Sequence, residues 1–221
     1  MAEVLGVALN TETACRVALG LMFVCLPCIG LPHRLRADRA GGRVSIRVDP
    51  RWFWILMPIA APMVLLVCIA FVLRPAWVDF ARVALPAWLR LIGVPAGAAG
   101  VMLFGWMFRH LGRNVTSTSM PRSGATLVTS GPYRWVRHPM YSAALILIVA
   151  TSLLTSNAIV ATGGVVMFAL LAARSRIEER RLVEKFGDAY RDYQRTTGRF
   201  VPRVMPPRGV QLKSPNQSTV T

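Results

Sequence analysis

The sequence predicts an all-α fold: a multi-pass transmembrane helical bundle of about five spans, followed by an amphipathic helix. Three observations carry this reading. Apolar residues make up 54% of the 221-residue chain. Charged residues make up only 16%, against about 25% in ordinary soluble domains. The apolar residues also fall in blocks near the ~20-residue length that crosses a bilayer, with basic residues between them.

The first block centres on Val17–Leu31, with Pro32 as its expected end. Glu3 and Glu12 precede it without a basic leader segment, so a retained span is expected. Trp52–Leu73 is the second span and opens with Trp52 and Trp54 at the expected interface. The third runs from about Pro86 to Phe108. Arg90 lies near its start and is expected to snorkel to the headgroups. Gly93-x-x-x-Gly97 with Gly100 offers a small-residue face for close helix packing.

The stretch Pro139–Arg174 is too long for one span. Its polar break, Thr151–Asn157, predicts a helical hairpin of two short spans, Met140–Leu154 and Ala158–Ala173, joined by a tight turn. Past Arg174, Leu182, Val183, Phe186, Tyr190 and Tyr193 recur at helical spacing, interrupted by Gly187. From Pro206 onward the composition predicts disorder. The organisation is therefore 1–108 for the first three spans, 109–203 for the hairpin region that carries the chemistry, and 204–221 for a disordered tail.

The net charge of +16 would suit nucleic acid if it sat on a soluble domain. It does not: 22 of the 26 Lys and Arg residues lie in segments 33–51, 109–138 and 174–221, between or after apolar blocks. That pattern predicts cytoplasmic loops facing anionic lipid, with membrane lipids as partners and no nucleic acid. Five spans then place the N-terminus outside and the C-terminus in the cytoplasm. Cys25-Leu26-Pro27-Cys28 is the one C-x-x-C. It lies in an apolar block without a second pair or a His cluster, which predicts packing rather than a metal.

The chemistry concentrates in Leu127–Tyr141 and in Arg174–Arg181. Gly131-Pro132 reads as a turn and Pro139 as the first residue of a helix, which puts Arg137 and His138 at a helix N-terminus. Such a terminus binds anions through its free N–H groups, while interfacial anchoring by Arg, Tyr and Trp accounts for the same residues equally well. Arg174 and Glu178 are four apart and share a helix face. A solvated charged helix explains that spacing too, but the hairpin brings both clusters to one end of the bundle.

The ordered set Gly131-Pro132-Tyr133-Arg134-x-x-Arg137-His138-Pro139-x-Tyr141, a hairpin, Glu178-Glu179-x-x-Leu182, Phe186-Gly187-x-x-Tyr190-x-x-Tyr193 and Arg199-Phe200-x-Pro202 resembles the isoprenylcysteine carboxyl methyltransferase and phospholipid methyltransferase superfamily. The resemblance covers roughly residues 109–203. It implies a membrane methyltransferase that uses S-adenosyl-L-methionine and a lipid-like small-molecule substrate. It further implies cofactor contacts at Leu127, Val128, Tyr133, His138, Pro139, Met140, Tyr141 and Glu178. Arg174 matches the residue that holds the acceptor carboxylate, and His138 or Glu179 would take a proton from an amine acceptor. Two positions depart from the pattern: Ala125 stands where relatives often carry His, and Ser142-Ala143 replaces the Gly expected after Tyr141.

No G-x-G-x-x-G loop follows a predicted strand, so a Rossmann-type site is not indicated. Two other classes compete. A membrane reductase using NADPH would need Arg122, Arg134 and Arg137 for the cofactor phosphates. A transporter or scaffold would have no use for the His-Pro-x-Tyr and Glu-Glu pairing, and acidic residues are missing from the centres of the spans.

Overall fold

The structure is a computed structural model that describes residues 2–41, 50–73, 76–111 and 126–203. Ala125 and the 204–221 tail lie outside the described residues. Six α-helices follow in order among those described: α1 Ala2–Gly41, α2 Arg51–Leu73, α3 Ala87–Leu111, α4 Pro139–Thr155, α5 Ala158–Phe186 and α6 Asp188–Thr196. Four of them, with α1 counted over Asn10–Arg36, are long and apolar enough to cross a membrane. The 17-residue α4 is shorter, about 25 Å at 1.5 Å per residue, and is paired along its length with α3 and α5. The chain is thus a multi-pass membrane protein. Large apolar side chains such as Leu21, Ile59, Leu66, Met102 and Val165 are exposed where lipid would cover them.

The first span differs from expectation. Helix α1 continues through Pro27 and Pro32 to Gly41 instead of stopping at Pro32. Each proline removes one backbone hydrogen bond, a loss that membrane helices tolerate when neighbours and local adjustment compensate. Cys25 and Cys28 are exposed on this helix and unbridged.

Helices α3 and α4 make the most extensive pairing, and small residues allow it. A Cβ on Gly93 would sit 2.9 Å from the Ala150 carbonyl oxygen and 2.8 Å from Leu154 Cγ. Gly100 meets Leu147 in the same way, while Gly97 faces Met22 of α1. The Gly93-x-x-x-Gly97 face therefore serves two neighbours. Gly93→Val is expected to push α3 from α4 and to destabilise the bundle by about 1–3 kcal/mol, read as a lower unfolding temperature in detergent.

The hairpin turn is tighter than the polar break suggested. Thr151, Ser152 and Thr155 stay helical, their hydroxyls donating to the carbonyls of Leu147, Ile148 and Thr151 at 2.7, 2.7 and 2.8 Å. Only Ser156, at φ +48°, and Asn157 lie between the helices. The Asn157 side chain caps α5, accepting from the N–H groups of Ile159 and Val160.

Near this turn Arg90 corrects the snorkelling expectation. It is buried, donating to Glu12 at 2.7 Å and to the Leu154 carbonyl at 2.9 Å. Arg16 and Arg82 also bind Glu12, at 2.9 and 2.7 Å. One carboxylate on α1 therefore gathers three guanidiniums from α1, the start of α3 and the strand-like link before it. An unpaired guanidinium would face lipid hydrocarbon, so the inward rotamer wins.

The main core lies between α1, α2, α4 and α5 and includes Leu19, Cys68, Phe71, Ala150, Leu154 and Val160. Beside it an apolar cavity of about 170 Å³ is lined by Met22, Leu65, Ile148, Gly164 and Met167 among others.

Candidate functional site

The opposite end of the hairpin assembles the polar residues. A 3-10 turn, Gly131–Arg134, leads into Pro139 at the start of α4. Gly131 has φ +59° and lies against the His110 ring, where a Cβ would come within 2.4 Å. Only glycine fits that conformation and that approach. This docks the turn onto the end of α3.

Helix α5 carries on past the apolar part of the hairpin without a break, so Arg174, Glu178 and Glu179 sit on one rigid helix. The sequence marked a separate amphipathic helix after Arg174; the structure shows one helix to Phe186. Gly187, at φ +57°, then turns the chain into α6.

From α6 the chain doubles back. The N–H groups of Arg137 and His138 donate to the carbonyls of Gly198 and Arg199 at 2.8 and 3.1 Å. This short parallel pairing straps residues 197–200 across the start of α4. Ser142 donates to the Phe200 carbonyl at 2.6 Å. The serine that stands in place of the expected Gly is thus bonded to the strap. The Phe200 ring packs 5.9 Å from His138, 6.2 Å from Tyr141 and 5.6 Å from Phe168.

Two charge networks result. In the first, Arg174 Nη1 donates to the Tyr141 hydroxyl at 3.1 Å, and that hydroxyl donates to Glu178 Oε2 at 3.0 Å. In the second, Glu179 Oε1 accepts from Arg137 Nε at 2.9 Å and pairs with His138 Nε2 at 3.1 Å. Arg137 also donates to the carbonyls of Gln194 and Thr197, at the end of α6. His138 joins the networks: its ring stacks on Tyr141 at 5.4 Å and 8°, and its Nδ1 lies 3.9 Å from Glu178 Oε2. Since Glu179 accepts at Nε2, that nitrogen carries a proton.

The two carboxylates differ in availability. The Glu179 side chain is 13% exposed and held by cations and by the Gln194 amide. That of Glu178 is 27% exposed and accepts from the Tyr141 phenol. Tyr133 lies within electrostatic reach of Glu178, and burial pushes its phenol well above the ordinary value, with Glu178 adding to the effect. The phenol of Tyr193 is raised mainly by burial and donates to the Tyr133 carbonyl.

Of the residues marked in the sequence, Arg174, His138, Glu179, Tyr141 and Glu178 are brought into direct contact. Pro139 is buried beneath them, and Met140 and Tyr133 pack on the Met107 and Phe108 cluster at the end of α3. Leu127 and Val128 lie partly buried on the approach to the 3-10 turn and join neither network by a hydrogen bond among the described residues. Sequence reasoning missed Phe53. Its ring carries the Arg174 guanidinium at 4.8 Å. The signal was faint: Phe53 sits between Trp52 and Trp54, and its burial shows only when α2 packs on α5.

Arg137 is engaged within the fold, and Arg134 lies over the Trp135 ring at 4.8 Å. Arg122 lies outside the described residues. The two described arginines that a phosphate would need are thus bonded elsewhere or turned onto a neighbouring ring.

Comparison with known proteins agrees with this layout. Residues 88–189 match the phospholipid methyltransferase family. A protein-S-isoprenylcysteine O-methyltransferase of Dictyostelium discoideum is 27% identical over 111 residues, 47% of this chain and 47% of that protein. The cobalt-zinc-cadmium resistance protein CzcN of Cupriavidus metallidurans is 38% identical over 89 residues, 40% and 41% of the two chains. The solved eukaryotic intramembrane Ras methyltransferase, isoprenylcysteine carboxyl methyltransferase, shares the fold with a TM-score of 0.50 and 22% identity. That match covers 81% of this chain and 60% of the solved one. The chain spans about half the length of the curated relatives it matches, or less. The matched segment, the hairpin and the shared fold make this chain similar to the phospholipid methyltransferases and the isoprenylcysteine carboxyl methyltransferases.

Proposed function

We propose that the chain is an S-adenosyl-L-methionine-dependent methyltransferase that modifies a membrane-embedded amphiphile, with an acceptor carboxylate favoured over a lipid amine. One observation carries the reading: the hydrogen-bonded series Arg174, Tyr141, Glu178 sets an anion-binding guanidinium and a cation-binding carboxylate either side of a single phenol. A cationic methyl donor and an anionic acceptor would be held next to each other by such a series.

The residues present suit the donor. Glu178 is the more open carboxylate, and Tyr133 and Tyr141 stand beside it, a combination that favours a sulfonium cation. His138, Pro139 and Met140 would complete that side, with Leu127 and Val128 on the approach. When bound, the donor supplies an electrophilic methyl on a positively charged sulfur.

The protein's part is alignment. Arg174, steadied by Phe53 and Tyr141, orients the acceptor oxygen, and positioning of this kind accounts for much of the rate in a direct displacement. An acceptor carboxylate has no proton to lose. For an amine, His138 is the base. Glu179 is a positioning residue: tied to Arg137 and His138, it fixes the tautomer and the strap, and a carboxylate satisfied by cations is a weak base. The acceptor's hydrocarbon follows from depth. The apolar cavity begins at Leu147 and Met167, six and seven residues along α4 and α5 from Tyr141 and Arg174, or roughly 10 Å deeper in the bilayer. The basic segments favour a cytoplasmic position for the site, with the N-terminus outside.

The test is thermal unfolding of the detergent-solubilised protein with S-adenosylhomocysteine. Stabilisation at saturating ligand is expected, and none would end the reading. Arg174→Ala is expected to raise the acceptor KM by roughly 10- to 150-fold, the equivalent of one lost charge-assisted hydrogen bond, while S-adenosylhomocysteine binding is retained.

A further inference from the structure

The methyltransferase reading names donor-binding residues on α4, on α5 and in the segment before α4, and assigns nothing to α6. Resting on that reading, we infer that the hydroxyl of Tyr190, on α6, is a further contact for the bound methyl donor, meeting a polar group of its ribose or amino-acid portion.

Tyr190 is 1% exposed, yet its hydroxyl has no hydrogen-bond partner among the described residues. This sets it apart from its neighbours. Tyr141 donates to Glu178, and Tyr193, whose ring lies 5.8 Å from that of Tyr190, donates to the Tyr133 carbonyl. A buried hydroxyl left without a partner is costly and rare in folded proteins, and where one persists a functional role or an ordered water or ion accounts for it.

The surroundings say which ligand. The Tyr190 ring packs on Tyr193, whose hydroxyl reaches the Tyr133 carbonyl, and this contact sets it on the α6 side of the donor end, where Glu179, Arg137 and Glu178 also act on its phenol. Glu179, bound to Arg137, His138 and Gln194, is not its partner in the structure. Burial, then the two carboxylates, push the phenol far above its ordinary value against the opposing effect of Arg137. It stays a neutral O–H donor across the physiological range. A neutral donor beside carboxylates suits a hydroxyl or carboxylate oxygen of the ligand, while Glu178 takes the cationic sulfur.

The test compares Tyr190→Phe with Tyr193→Phe in the full-length protein. Calorimetric Kd values for S-adenosylmethionine and S-adenosylhomocysteine are measured, together with Tm without ligand. For Tyr190→Phe, which keeps the packed ring, Tm is expected to hold or rise, because an unsatisfied group has been removed. Both Kd values are expected to weaken by roughly two- to tenfold, the loss of one neutral hydrogen bond. Tyr193→Phe is expected to lower Tm, since it strands the Tyr133 carbonyl. If Tyr190→Phe leaves both Kd values unchanged, the inference fails whatever the Tm. If it lowers Tm as Tyr193→Phe does, the hydroxyl serves the fold and the inference also fails. If the wild-type protein binds neither ligand, the methyltransferase reading falls first, a result recognisable before any variant is made.

Discussion

Glu178→Gln is expected to weaken S-adenosylmethionine binding by roughly 10- to 150-fold, the range set by about 1.5–3 kcal/mol for an interaction with a charged group. The substitution keeps shape and most of the hydrogen-bonding capacity toward Tyr141 while deleting the charge. Its effect should therefore depend on the charge of the ligand. S-adenosylhomocysteine has a neutral sulfur and should lose much less affinity than S-adenosylmethionine. Isothermal calorimetry with both ligands gives the answer directly. Equal losses would mean that Glu178 holds a part common to both molecules, such as the amino-acid ammonium or a ribose hydroxyl, and no loss would remove it from the site. Glu179→Gln offers the contrast: its neighbours Arg137 and His138 lose their shared counter-ion, so the damage should appear in the docking of the strap and in stability before it appears in ligand discrimination.

The second large effect is expected far from the chemistry. Glu12→Ala removes the only acid among the described residues that reaches Arg90, and leaves Arg16 and Arg82 with less as well. Breaking a buried ion pair from one side costs about 3–5 kcal/mol, because a charge is stranded in low dielectric. The Arg90 side chain is 9% exposed and that of Glu12 is 15% exposed, so that regime applies. Unfolding in detergent should show a loss of this order. Arg90→Met should cost less, since Glu12 keeps two cations and the new side chain fills apolar space. If the two variants cost the same, the cluster is not organised around its carboxylate.

The spans were readable because hydropathy is a local property: Trp52–Leu73 and the hairpin break each announce themselves within a few residues. The site was readable in part for the same reason, with Tyr141 and Arg174 fixed to the two ends of one hairpin. Arg90 was misplaced because its partner, Glu12, is 78 residues away. From one helix alone, a terminal arginine in a span looks like a headgroup anchor. Pro32 was read as a stop because a single helix does lose a hydrogen bond there, whereas neighbouring helices decide whether the helix continues. Phe53 escaped for a related reason, and so did the part that Arg137, already marked in the sequence, plays in bracing the fold. Their roles depend on packing of α2 against α5 and on carbonyls at the end of α6, and no periodicity within one element records either.

The strap over α4 also has a consequence for biosynthesis. His138 and Tyr141 are translated about sixty positions ahead of Gly198, Arg199 and Phe200, the segment that pins them. The first half of the hairpin therefore leaves the ribosome before its last brace is made. A chain released upstream of residue 197 would lack the strap that holds His138 and Ser142 at the start of α4, and limited proteolysis of such a truncation is expected to cut there sooner.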